Sequence, residues 1–210
     1  MKRTLCSLFA TLVAAAVLHA DDGWVSMFNG KDLTGWKSND EVPGVFTVED
    51  GKIKVSGGRA HMFYMGPNGD ANFKNFEMKA KVMTTPGANS GIYFHTEFQE
   101  KDWPKKGFEC QVNTTHKDIK KTGGLYAVKD VLNDAPSKDN EWFDYEIKVQ
   151  GKHVVLKING KVTADWTQPD DWTPPKGMPG RVLSEGTIAI QGHDPKSTSY
   201  YKDLFIRPLP

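Results

Sequence analysis

Cysteine is nearly absent from this chain: among 210 residues only Cys6 and Cys110 are thiols. Cys6 falls inside an N-terminal apolar run, so Cys110 alone remains for the body of the protein, and one thiol closes no internal disulfide. Stability must then come from a hydrophobic core, which a chain of this length can supply. An excess of one charge is missing as well, with 27 Lys and Arg against 26 Asp and Glu. No basic block is longer than the pairs Lys105-Lys106 and Lys120-Lys121, which leaves no electrostatic footprint for nucleic acid. The serine elbow Gly-x-Ser-x-Gly, the phosphate loop, HExxH and Cys-x-x-Cys are all absent, which argues against serine hydrolysis and against a structural zinc. The apolar run from Leu5 to Leu18 falls short of the roughly 20 residues that a membrane helix needs. Led by Lys2 and Arg3 and ending at Ala20 before Asp21-Asp22, it has the form of a secretory signal peptide. Residues 1–20 are therefore expected to be removed, residues 21–210 to form a single domain, and the product to be periplasmic or secreted.

What is present is β structure. Past the leader no helical stripe recurs, whereas short β-rich runs separated by turn residues fill the chain. Phe46 to Val48, Asp50-Gly51 and Ile53 to Val55 spell a hairpin, as do Val154 to Ile158, Asn159-Gly160 and Val162 to Ala164. Asp-Gly and Asn-Gly supply the positive φ angles of a tight primed turn. Asn75 to Met83 alternates Phe76, Met78, Ala80 and Val82 with Glu77, Lys79 and Lys81, the pattern of a strand with one wet face, and Trp142 to Val149 behaves similarly. Trp172 to Pro179 and Ala135 to Asn140 read as loops. The expected class is all-β, with two antiparallel sheets packed as a sandwich.

Three strands carry chemistry on the face opposite their apolar side. In Gly91 to Glu97, alternation sets Tyr93, His95 and Glu97 against Ile92, Phe94 and Thr96. In Gly107 to Asn113 it sets Glu109, Gln111 and Asn113 against Phe108, Cys110 and Val112. In Thr187 to His193 it sets Gln191 and His193 against Ile188 and Ile190. Wet sheet faces ordinarily favour Lys, Glu and Thr, so paired imidazoles and amides beside a tyrosine point to a site. Cys110 reads as a small buried hydrophobe. His61, His116 and His153 lack such company and read as surface or loop residues.

The segment Trp24 to Trp36, Trp-Val-Ser-Met-Phe-Asn-Gly-Lys-Asp-Leu-Thr-Gly-Trp, resembles the opening of the 3-keto-disaccharide hydrolase family. Asn75-Phe76-Glu77, Asn89 to His95, Gly107 to Val112, Gly124-Leu125-Tyr126, Asn159-Gly160 and Gly186 to His193 resemble its later motifs in order. The resemblance implies a concanavalin A-like jelly-roll sandwich from a Gram-negative bacterium, with its site on one sheet. It also implies glycoside cleavage on 3-keto-disaccharides or 3-keto-glucosides, by elimination and hydration with net hydrolysis. A ketone at C3 acidifies the C2 proton, so such a site needs a base tuned near working pH and a group that stabilises the enolate.

Glu109 and His193 are the expected catalytic pair. His95, Glu97, Gln111, Tyr126 and Gln191 are expected to bind substrate, with a divalent metal ion as a further option. Two alternatives stay open at this stage. One is an ordinary glycosidase using a carboxylate pair such as Glu97 and Glu109. The other is a noncatalytic carbohydrate-binding module whose platforms are Tyr93, Tyr126 and Trp103 with the Gln111 amide.

Overall fold

The computed structural model describes residues 22–39 and 41–210; the leader read from the sequence lies outside them. Fifteen strands and no helix are found among the described residues. They are β1 (Val25–Ser26), β2 (Trp36–Ser38), β3 (Phe46–Glu49), β4 (Lys52–Ser56), β5 (Ala60–Tyr64), β6 (Phe76–Thr84), β7 (Asn89–Thr96), β8 (Phe108–Asn113), β9 (Lys120–Leu125), β10 (Lys129–Leu132), β11 (Phe143–Gln150), β12 (His153–Ile158), β13 (Lys161–Thr167), β14 (Thr187–Gly192) and β15 (Thr198–Pro208). They form two antiparallel sheets. One runs β13-β12-β11-β6-β15-β4-β3 with β1 on β15, the other β10-β9-β8-β7-β14-β5-β2. We call them the outer sheet and the site sheet.

Both hairpins form where the turn dipeptides stand. Asp50 and Gly51 take φ of 48° and 73°, and Asn159 and Gly160 take 49° and 75°. These left-handed pairs match the twist of the flanking strands, so Glu49 pairs with Lys52 and Ile158 with Lys161 across two-residue turns. In the outer sheet β6 keeps strict alternation: it buries Phe76, Met78, Ala80 and Val82 and leaves Lys79 exposed. Those buried side chains meet Ile92, Phe94, Phe108, Cys110, Val112, Ile188 and Ile190 from the site sheet in one continuous core. Phe94 stacks on Phe108 with centroids 5.3 Å apart, and Phe76 meets Phe94 edge-on at 5.9 Å. Cys110 is fully buried in this layer, where desolvation pushes its thiol pKa well up.

The site sheet differs in its second face. Every residue of β5, β7, β8 and β14 is buried, polar ones included. Two loops cover that face: 97–106 after β7, and the Pro-rich stretch before β14. They touch each other, because Gly107 N donates to Gly180 O at 3.0 Å and Lys106 bridges Gly180. A Cβ on Gly180 would collide with the Lys105 carbonyl, so only glycine allows this approach.

Candidate active site

A cavity of about 610 Å³ opens between the site sheet and these loops. Tyr93 from β7, Glu109 and Gln111 from β8, and Gln191 from β14 form its floor, while His193, Tyr126, Trp103 and Arg181 form its walls. The floor follows from register: Tyr93 pairs with Glu109 and Gly91 with Gln111, so alternation sends all these side chains to the face away from the core. Gly91 lies in line with Gln191, and it is the position over which Glu109 folds. A Cβ at Gly91 would stand 2.9 Å from Glu109 Oε1.

Glu109 is 6% exposed and accepts from three donors. Tyr93 Oη donates to Oε2 at 2.9 Å and Gln191 Nε2 to Oε1 at 2.9 Å, while Arg181 Nη2 pairs with Oε2 at 3.4 Å. Burial pushes the Glu109 pKa up, and the Arg181 charge and the hydroxyl and amide donors only partly offset it. Arg181 is itself buried; its Nη1 donates to Gly107 O at 3.0 Å, and its Nε has no partner among the described residues. The close approach at Gly180 delivers this guanidinium.

On the other wall stands His193, backed by a second imidazole outside the cavity. His193 Nδ1 and Asp194 Oδ2 lie 2.9 Å apart, and the His116 ring stands 5.4 Å from that of His193. Asn89, which accepts from Gln111 Nε2 at 3.0 Å, reaches His116 Nδ1 at 3.3 Å. Burial lowers the His116 pKa, aided by the neighbouring His193. Donor atoms of His116, His193 and Asp194 fall within 4.8 Å of one another, a spacing that suits one cation.

The structure thus brings Glu109, Gln111, Tyr126, Gln191 and His193 to one cavity, and leaves His95 and Glu97 out of it. The reason is a β-bulge. Between β7 and β14, Thr187 pairs with Thr96 but Ala189 with Tyr93, so β7 spends one residue more than its neighbour, and His95 takes φ of 54°. The His95 ring turns onto Phe94 and Phe76, its Nε2 lies 2.8 Å from Lys74 O, and its Nδ1 accepts from Ser184 N at 3.2 Å. Both nitrogens are spent on fastening loops. Glu97 lies past the strand end, largely exposed, with its carboxylate 3.3 Å from Lys106 Nζ. The Glu97–Glu109 pair is therefore not assembled.

One of the histidines read from the sequence as surface or loop residues requires correction, His61; His116 does lie in a loop, but in company the sequence did not show. His61 is fully buried on β5, and His116 stands against His193. His153 is indeed at the surface, with Nε2 2.8 Å from Asp165. Arg181, Asn89, His116 and Asp194 carried no alternation signal, because Asn89 opens β7 and the other three lie outside strands.

The fold and its one-sided polar cavity define a concanavalin A-like jelly-roll sandwich. The chain belongs to the 3-keto-alpha-glucoside-1,2-lyase-like domain family, whose profile matches residues 23–207. A Bacteroides thetaiotaomicron protein named 3-keto-disaccharide hydrolase is 38% identical over 79 residues. That match takes in 35% of this chain and 27% of the relative. A crystal structure from Parabacteroides distasonis, described as "a putative glycosyl hydrolase", is 25% identical with a TM-score of 0.75, covering 90% of this chain and 94% of that one. The carbohydrate-binding module CBM66 of Bacillus subtilis, 13% identical with a TM-score of 0.58 over 83% of this chain and 96% of its own, shares the fold.

Proposed function

We propose that the chain cleaves 3-keto-glycosides by elimination across C1 and C2. Glu109 takes the C2 proton; its three donors favour a carboxylate, and burial tunes that carboxylate toward working pH, as a base requires. The electron pair moves onto the C3 oxygen as an enolate, which the buried Arg181 guanidinium stabilises at short range. The pair then returns to form the C1=C2 double bond as the C1–O bond breaks. His193, oriented through Nδ1 by Asp194, gives a proton to the departing oxygen. The products are the free alcohol and a 1,2-unsaturated 3-keto sugar, to which water adds for net hydrolysis. Tyr93, Gln111, Gln191 and Tyr126 orient the ring. The observation that carries this reading is one cavity holding a buried, cation-paired carboxylate together with an imidazole–carboxylate pair.

A second reading keeps the substrate and adds a divalent cation on His116, His193 and Asp194, favoured by the spacing of their donor atoms. Such a cation would supply Lewis-acid polarisation of a sugar oxygen. The leader motivates a location outside the cytoplasm, which the mass and compartment of the mature chain would check.

The deciding experiment incubates the protein with 3-keto-sucrose and a 3-keto-glucoside, with and without chelator, and follows release of the alcohol and the keto sugar. Turnover that survives chelation supports the metal-free route. Turnover that chelator removes and a divalent ion restores supports the second. Saccharide binding without turnover of either substrate leaves a binding module in place of an enzyme.

A further inference from the structure

The polar row on the floor of the cavity does not stop at its edge. It begins at Gln111 on β8, crosses Gly91 on β7, reaches Gln191 on β14, and continues through the pair Gln191–His61 onto β5. Beyond it Asn39 accepts from His61 N at 3.0 Å through Oδ1. The row shares a defect: Gln111 Oε1, Gln191 Oε1, both ring nitrogens of His61 and Asn39 Nδ2 are buried without a partner among the described residues. Buried polar atoms are almost always paired, so five such exceptions on four neighbouring residues in one row mark places that a ligand completes. His61 is fully buried among the rings of Tyr93 at 5.6 Å and Trp103 at 5.5 Å, where desolvation pushes its pKa down to about 3. It is neutral at ordinary pH, with one donor and one acceptor and neither in use.

What separates His61 from the open cavity is Trp103, itself 40% exposed. Its loop is braced from within, since Gln99 Nε2 donates to the carbonyls of Lys101 at 2.6 Å and Trp103 at 2.9 Å. It is held to the rest of the protein at Asp102, which meets the Arg59 guanidinium at 3.1 Å and donates its N–H to Glu41 at 2.9 Å. Arg59 also pairs with Glu41. These contacts around Trp103 are partly exposed and polar and hold weakly, whereas the loop's ends are pinned by Phe98 packed on Phe63 and by Lys106 at Gly180, so the braced segment between those ends can lift as a unit.

We propose that His61 and Asn39 floor a second sugar subsite covered by Trp103, so that one row of amides and an imidazole reads both rings of a disaccharide. Sugar hydroxyls both donate and accept, which matches the mixed donors and acceptors left open along the row, and the lifted indole becomes a stacking platform. The subsite rests on the carbohydrate reading above and adds to it where the leaving ring lies.

The test pairs the conservative-volume variant His61→Phe with ligands of one and two rings. Binding of 3-keto-sucrose is measured in the Glu109→Gln background, which holds the ligand without turnover, and compared with methyl 3-keto-glucoside. His61→Phe should weaken the disaccharide about tenfold, the value of one hydrogen bond, and leave the single-ring ligand within twofold. Melting temperature should stay level or rise, because the ring nitrogens bond to nothing in the free protein. In protein labelled with ¹⁵N-histidine, the ring signals of His61 should shift on addition of the disaccharide and not of the single-ring ligand. Equal affinities of His61→Phe and its parent for both ligands, or His61 signals unmoved at saturation with the disaccharide, overturn the subsite. If the wild type shifts those signals yet cleaves nothing, the reaction assigned to Glu109 fails and the subsite stands.

Discussion

The two sheets share strand geometry and a core, and they differ in what lies on the second face. On the outer sheet β6 and β11 alternate buried residues with partly or fully exposed ones, and charged pairs such as Lys148–Glu77 at 3.1 Å and Lys81–Asp144 at 2.6 Å lie in solvent. On the site sheet β7, β8 and β14 are buried at every position, so Glu109, Gln111 and Gln191 are polar groups largely removed from bulk solvent. A polar face in water costs almost nothing and does almost nothing. The same residue types under two loops hold unpaired groups at about 1–3 kcal/mol each, a cost that persists where ligand binding recovers it.

The comparison breaks if chemistry is not confined to the site sheet. Glu109→Gln and His193→Ala should each lower kcat/KM on a 3-keto-glycoside by about 10² to 10⁴, the usual worth of a positioned acid or base. Wild-type turnover in both would remove the mechanism. The pH profile sharpens the point. Glu109 works ionised and burial raises its pKa, so activity should climb with pH along a limb placed above that of an ordinary glutamate, and Glu109→Gln should lack that limb. In stability the sign is opposite: a raised carboxyl pKa contributes stability at low pH, which is lost as pH rises through the folded-state value.

The shared core gives the next effect. Ile190→Ala on the site sheet and Ile53→Ala on the outer sheet, both fully buried, should each cost about 2–5 kcal/mol in denaturant unfolding with one transition. Two separate transitions would show that the sheets do not fold as one unit. Smaller is Gly91→Ala, whose methyl must displace Glu109. About a tenfold loss of kcat/KM with a near-native melting temperature is expected, and an unchanged rate would mean that the carboxylate position is not critical. Least affected should be Lys148→Ala on the outer face, at no more than about 1 kcal/mol in stability and with unaltered turnover.

The same contrast decides what could be read from sequence. Alternation shows where the two faces differ in polarity, so β6, β11 and the two Gly-turn hairpins were legible, as were Glu109 and Gln191 opposite their apolar neighbours. β5, Ala-His-Met-Phe-Tyr, is buried on both faces and shows no period, which is why His61 looked like a surface residue. The bulge at His95 adds one residue to β7 and reverses the parity of all that follows, so His95 and Glu97 were assigned to the wrong face. Arg181 reaches Glu109 from 72 positions away, through a backbone contact at Gly180 that no local pattern encodes.

Cys110 gives the molecule an internal clock. The thiol is sealed at the middle of the core and its thiolate is strongly disfavoured there, so alkylating reagents reach it only when the sandwich opens. As the one thiol among the described residues, it yields a single labelling signal in a chain that lacks residues 1–20 and with them Cys6. At high reagent concentration the labelling rate equals the opening rate, and at low concentration it reports the open population. Kinetic persistence and equilibrium stability can thus be separated in the unmodified chain without an engineered probe.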